Sequence, residues 1–260
     1  MHAPDLWKAA YLNNNELFET LYNQYVERTD VPKKFVSARQ IAIEYLTQAF
    51  EVGRLYEFAI DNVNSHTPFK DPIYSSNLCA EICIPTKPFT GMMDLYSSQP
   101  NGEIGLCNLM AIIAGRVKTH EQYMLAAYYA LLIIDNAIEI MDYPFPSLEA
   151  TAKYRRSAGV GITNLAYDMA YRGFYYDSQV GKDYMHRLAE MHSYCLHEAS
   201  LKIAQEKGIC AGMADSKYPD GWLPIDTYNR NVDTITDQKL VYDWEDLRLR
   251  IKANGGIRHS

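Results

Sequence analysis

Apolar positions recur at helical spacing in four long stretches of the chain. Glu16 to Arg28 sets Leu17, Leu21, Tyr22 and Tyr25 on one face, and Ser37 to Val52 does the same with Ile41, Tyr45, Leu46 and Ala49. Gly53 follows the second as a stop signal. Glu121 to Met141 is apolar nearly all round, the pattern of a helix buried inside a domain. Asp183 to Lys207 carries Met185, Leu188, Cys195, Ala199 and Ile203 on a stripe and ends at Gly208. A shorter helix with Leu247 and Ile251 is predicted after Asp243. Turn formers concentrate at Asn62 to Asp71, Thr86 to Gly102, Asp142 to Ser147 and Asp215 to Pro224. The predicted strands are short: Ser75 to Ile84, Ile104 to Met110 and Val160 to Asn164. Helices separated by isolated short strands imply an α/β fold with parallel pairing. No repeat, low-complexity tract or linker divides the sequence, so residues 1–260 are expected to form a single unit.

Composition narrows the function classes. The 48% apolar content supports a sizeable core. A net charge of -7 without a basic cluster argues against a nucleic-acid partner. The run Met1-His2-Ala3-Pro4-Asp5 has no signal-peptide character, and the longest apolar run, Met124 to Ile134, is too short to span a bilayer. A soluble, cytoplasmic protein without a membrane partner is expected. The five cysteines are odd in number and irregularly spaced, which excludes a disulfide scaffold, and no Cys-x-x-Cys pair points to zinc. No metal ligands are predicted.

The densest candidate chemistry is Asn77-Leu78-Cys79-Ala80-Glu81. In an extended segment Asn77, Cys79 and Glu81 would share one side, roughly 6–7 Å apart, with Leu78 and Ala80 on the other. Such a row offers an amide, a sulfur and a base to one small ligand. Taken alone, it reads more readily as an edge strand with polar residues outward. Cys83 would lie on the same side as Cys79 and is read as a core residue; the prolines Pro85 and Pro88 argue against a helical pair of thiolates. Cys107, among apolar neighbours, reads as a buried strand cysteine, and Cys195 as core; Cys210 gives no signal. Gly159-Val160-Gly161 lacks the third glycine of a dinucleotide fingerprint and is assigned to close helix–strand packing. His186, His192 and His197 share a helix at offsets unsuited to a metal, and the 21 tyrosines read as packing residues with hydroxyls at the rim.

Taken in order, these segments resemble the catalytic large subunit of class I ribonucleotide reductases. The match is carried by Asn64-Ser65-His66-Thr67-Pro68-Phe69, Ser76-Asn77-Leu78-Cys79-Ala80-Glu81-Ile82, Pro85-Thr86-Lys87-Pro88 and Gly102-Glu103-Ile104-Gly105-Leu106-Cys107. It continues in Asp142-Tyr143-Pro144, Arg155-Arg156, Gly159-Val160-Gly161, Leu223-Pro224-Ile225-Asp226-Thr227-Tyr228 and Tyr242-Asp243-Trp244. Each piece is weak; the Asn-x-Cys-x-Glu run with Cys107 downstream is specific.

The resemblance implies part of a ten-stranded α/β barrel, with the catalytic cysteine on a loop entering the barrel centre. It implies that Cys79 becomes a thiyl radical that removes the 3'-hydrogen of a ribonucleoside diphosphate. Glu81 is then the base for the 3'-hydroxyl, Asn77 the amide bound to the sugar hydroxyls, and Asn77, Leu78, Cys79, Ala80 and Glu81 together the substrate-binding run. Cys107 is one of the redox-active pair that reduces the 2'-position. No cofactor is bound directly: the radical comes from a metal-containing small subunit, and thioredoxin or glutaredoxin serves as external dithiol reductant. The match covers only the middle of the family's chain. The expectation is therefore a central fragment, or one piece of a split subunit, that works with flanking large-subunit polypeptides. The upstream partner of Cys107, the phosphate-binding loop and the radical-transfer tyrosines would lie on those polypeptides. The rival is an inactive fragment or an interaction protein derived from the same fold.

Overall fold

The computed structural model describes residues 3–11, 14–228 and 235–260. Of the N-terminal run considered above, Met1 and His2 lie outside the described residues. Backbone contacts gather the chain into two compact units, Met1–Thr67 with Pro72–Pro85, and Pro68–Asp71 with Thr86–Ser260.

The first unit is helical. It contains α1 (Pro4–Tyr11), α2 (Asn15–Glu27), α3 (Ala38–Val52) and α4 (Ile60–His66). Side-chain caps set the starts of two of them. Asn14 accepts from the Leu17 amide at 3.0 Å, and Ser37 accepts from the Gln40 amide at 3.4 Å. Gly53 closes α3 in the left-handed region at φ +63, as its position in the sequence predicts. The apolar faces of α2 and α3 exist, but among the described residues neither helix has a buried side chain: Tyr22, Ile41 and Leu46 are all exposed. The loop expected from Asn62 is in part α4. Asn64, a turn former by type, is held within the helix because its amide donates to Ile60 O and to Ile73 O, both at 2.9 Å.

The second unit is built on β1 (Asn108–Ile113), α5 (His120–Ile140), α6 (Pro146–Arg155), β2 (Ala158–Thr163), α7 (Leu165–Tyr171), α8 (Gln179–Lys207) and α9 (Trp244–Asn254). The α/β composition and the parallel pairing are as expected: β1 and β2 run side by side from Asn108↔Ala158 to Ile113↔Thr163. They are the two strands among the described residues, and the outer edge of each is open. A ten-stranded barrel is not seen in these residues. β1 begins four residues past the predicted Ile104, because Glu103 is already engaged elsewhere, bridged to Lys87 through the backbone.

Ile112 of β1, Tyr123, Ala127 and Leu131 of α5, and Leu188, Cys195, Ala199 and Ile203 of α8 form one buried cluster. The α8 stripe read from sequence supplies its inner face. Ser178 extends that helix to Gln179 by capping the Gly181 amide. A second cluster joins Leu201, Met213 and Leu223 to Trp244, Leu247 and Ile251 of α9. α5 is only partly enclosed: Tyr123, Ala127, Leu131, Ile134 and Ile138 are buried, whereas Leu125, Tyr129 and Ile133 stand exposed. It extends past the run Met124 to Ile134 and, contrary to the estimate from that run, is long and apolar enough by composition to cross a membrane. Here it is the core helix of its unit.

The glycines of Gly159-Val160-Gly161 serve strand contact and not the expected helix packing. A Cβ on Gly159 would press to 2.6 Å from Leu109 Cδ2 and 3.4 Å from Cys107 Sγ, both reaching across from the β1 segment. His192, on α8, is half-buried. Its Nε2 lies 2.7 Å from Val160 O and so must donate, which leaves Nδ1 to accept from Tyr123 Oη at 2.8 Å.

Charged residues join these layers. Asp135 of α5 has no exposed surface. Arg156 approaches it at 2.7 Å, Arg258 at 2.8 Å and Lys207 at 3.0 Å. Burial alone would raise this carboxyl, but hydrogen bonds from Arg258 and Lys207 and the charge of Arg156 hold it down at about 2. The adjacent Arg155 turns away to Asp71 at 2.5 Å and Glu103 at 2.8 Å. The two arginines diverge because Arg156 closes α6 in the left-handed conformation, φ +51. His259 is buried beside this cluster. Ser200 Oγ, which accepts from the His259 amide at 3.1 Å, lies 2.9 Å from its Nδ1.

Asp135→Asn is expected to lower stability by about 3–5 kcal/mol, since it strands buried cations without their counter-charge. The denaturant midpoint at neutral pH measures this, and an unchanged midpoint would refute the assignment. Burial also pulls the His259 imidazole down to about 4 from an ordinary 6.5. Between those values the unfolded chain binds the extra proton, so stability falls as pH drops through that window. His259→Gln should flatten that part of the stability profile.

Candidate active site

The segment Asn77 to Glu81 is a tight turn and not the extended strand expected over Ser75 to Ile84. The Ala80 amide donates to Asn77 O at 3.0 Å, and Ala80 itself sits at φ +59. A non-glycine residue in this region carries about 1–2 kcal/mol of strain. A reversal at Ala80 thus removes the two-residue period expected of an extended segment.

The Asn77 side chain causes the reversal. Its Oδ1 accepts from the Glu81 amide at 3.1 Å and the Ile82 amide at 3.0 Å. One oxygen thus gathers two successive N–H groups that no strand partner takes, a use typical of asparagine in turns. Ser76 Oγ adds a strut, 2.9 Å from Ile82 O and 3.2 Å from Asn77 Oδ1. Cys83 lies 3.9 Å from the same hydroxyl and is half-buried, so its core reading holds in part. On the entry side, Asn64 exchanges hydrogen bonds with both backbone groups of buried Ile73, at 2.7 and 2.9 Å. The turn is therefore suspended between an anchored Ile73 and a buried Pro85.

This arrangement presents Asn77, Leu78, Cys79 and Glu81 outward, Leu78 with 89% of its surface exposed, and leaves Ala80 half-buried. Asn77 Oδ1 is occupied by backbone, which leaves its amide nitrogen as the group available to a ligand. Within five residues the turn thus offers a hydrogen-bond donor, a thiol and a carboxylate.

Cys107 belongs to the second unit, one residue before β1, and is half-buried where a buried strand position was expected. Its Sγ lies 3.8 Å from Asn108 O and beside Gly159. Burial pushes its thiol up to about 11, so it is protonated at neutral pH. Cys195 and Cys210 are fully enclosed, with thiols raised to about 12 and about 11 by burial. Among the described residues, no three His, Cys, Asp or Glu side chains converge as metal ligands. Ser76 and Asn64 were not singled out as supports of the turn. The adjacent Ser-Asn pair, two turn formers in succession, was the available signal.

The family model described as the ribonucleotide reductase barrel domain matches residues 2–260. The ribonucleoside-diphosphate reductase subunit alpha of Haemophilus influenzae is 35% identical over 260 residues, covering 99% of this chain and 34% of the relative. The subunit alpha of Enterobacteria phage T4 is 37% identical over 256 residues, covering 96% and 32%. The ribonucleoside-diphosphate reductase 1 subunit alpha of Escherichia coli is 35% identical over 260 residues, covering 99% and 33%. The chain thus spans about a third of the length of these relatives.

The turn geometry makes separable demands on Asn77. Asn77→Ala removes the acceptor for two amides and should speed hydrogen exchange at Glu81 and Ile82 by about tenfold, the equivalent of one lost hydrogen bond. Asn77→Asp keeps the acceptor and should leave exchange nearly unchanged. Equal protection in Asn77→Ala and the parent would show that the side chain does not shape the turn.

Proposed function

The chain belongs to the ribonucleotide reductase barrel-domain family, and on that footing we propose that it carries the hydrogen-abstracting turn of a ribonucleoside-diphosphate reductase. The observation that carries the reading is the Asn77–Glu81 turn, in which a locked backbone presents an amide nitrogen, a thiol and a carboxylate together.

In this reading the Cys79 sulfur, oxidised by one electron with loss of its proton, takes the 3'-hydrogen atom of the ribose. The S–H bond forms, and the radical passes to the 3'-carbon. Glu81, two residues on, accepts the proton of the 3'-hydroxyl, as a positioned base within reach of the adjacent oxygen. The Asn77 amide nitrogen orients the sugar hydroxyls, which keeps sulfur and carbon in register. The 2'-hydroxyl leaves as water after protonation, and Cys107 suits this step because burial keeps its thiol protonated. Two thiols, Cys107 and a partner cysteine, supply two electrons and end as a disulfide. An external dithiol such as thioredoxin or glutaredoxin restores them by exchange. Cys79 recovers its radical when the hydrogen returns to the 3'-carbon.

The one-electron oxidant is difficult chemistry for side chains alone and is assigned to a metal-containing small subunit. Flanking large-subunit polypeptides complete the substrate site. The chain alone should show no turnover. Combined with the flanking segments, the small subunit and a dithiol reductant, it should convert ribonucleoside to deoxyribonucleoside diphosphates.

A second reading, an interaction protein derived from this fold, draws support from the uncovered apolar faces of α2, α3 and α5. The two readings separate in the reconstituted mixture. Cys79→Ser should abolish product formation, and Cys107→Ser should do the same, because the two-electron reductant is then incomplete. Undiminished activity in Cys79→Ser would rule out the radical assignment, and no activity in the parent mixture would favour the interaction protein.

A further inference from the structure

The second unit holds a cleft of about 670 Å³ at the carboxyl ends of β1 and β2, between the turn after β1 and α7. Open parallel sheets commonly bind ligands at that end of their strands. The volume is that of a small-molecule site. Its floor is a close approach of backbone to side chain. Gly115, at φ +78, has no room for a Cβ, because the Asp168 carboxylate lies directly against it.

Charge in this cleft opposes that of the chain as a whole. Asp168 is its one carboxylate, and it is satisfied by Tyr184 and by Arg172 at 3.1 Å. Arg172 is thereby neutralised and held over the Tyr184 ring. Arg116 and Lys118 also line the cleft, both exposed, and among the described residues neither makes an ion pair. Two uncompensated cations therefore face one cavity on a protein of net charge -7. Beside them Tyr167 and Tyr171 project from successive turns of α7, their rings 6.2 Å apart and inclined by 18°. They are 66% and 80% exposed. Exposed rings beside paired cations are the elements that hold an unsaturated base and its phosphates.

We propose that this cleft binds a nucleoside phosphate, with Arg116 and Lys118 on the phosphate oxygens and Tyr167 and Tyr171 against the base. Every residue involved belongs to the second unit, whereas the Cys79 turn belongs to the first, so the inference does not rest on the reductase reading.

Calorimetric titration of the full chain tests it with three probes: ATP, inorganic pyrophosphate and adenosine. ATP should bind at one site, more weakly as salt rises, and more tightly than either part alone. Arg116→Gln with Lys118→Gln should weaken ATP by tenfold or more, the scale of lost charged hydrogen bonds. Tyr171→Ser should weaken ATP by about tenfold and leave pyrophosphate unaffected, the scale of one stacking contact. All three side chains are exposed, so thermal unfolding of the variants should match the parent. The proposal is overturned if the parent fails to bind ATP, if the double variant binds it as well as the parent, or if pyrophosphate binds as tightly as ATP. ATP binding lost in Asn77→Ala but kept in the double variant would assign the nucleotide to the Cys79 turn and overturn the proposal equally.

Discussion

A buried carboxylate that must be neutralised organises the larger unit. Asp135 lies in the middle of the core helix α5, where an isolated charge would be prohibitively unfavourable. Its counter-charges come from three other places in the sequence: the end of α6, the end of α8 and the segment after α9. Each of those ends is thereby pinned to α5. The left-handed residue Arg156 is part of the same solution. It turns its own guanidinium inward while Arg155 reaches the carboxylates of the long loop before β1. The interaction contributes to order more than to net stability, because desolvation offsets much of its attraction.

Patterns with a long period were legible in the sequence. The stripe Leu188, Cys195, Ala199, Ile203 became the inner face of α8, and Asp243 with Leu247 and Ile251 marked α9 and its buried side. The short helices α1, α4, α6 and α7 carry no clear signal, since two or three turns give too few positions to show a period. Exposure on α2 and α3 could not be read either. An apolar face states what a helix can bury and not whether a neighbour is present. The Asp135 cluster was invisible for another reason: its members are spread over more than a hundred residues, and no local spacing announces it.

The candidate site was legible in its residue types and not in its shape. The alternation of Asn77, Cys79 and Glu81 groups these side chains for a geometric reason that does not apply. They are presented together because Asn77 folds the backbone over its own oxygen, not because a strand alternates. The described residues show a turn at Cys79 and two strands, not the loop inside a ten-stranded barrel that the family resemblance implies. Cys107 likewise was assigned a strand interior, yet it stands just outside β1, where the small Gly159 leaves space for its sulfur.

The hydrogen bonds that reverse the chain fall between Ser76 and Ile82, while Asn64 holds only the entry to the turn at Ile73. Its form is therefore written in seven consecutive residues and owes little to distant packing. Such a segment behaves as a portable cassette. It could be carried through gene splitting, domain exchange or grafting onto an unrelated scaffold with its internal geometry intact, while everything that surrounds it is replaced.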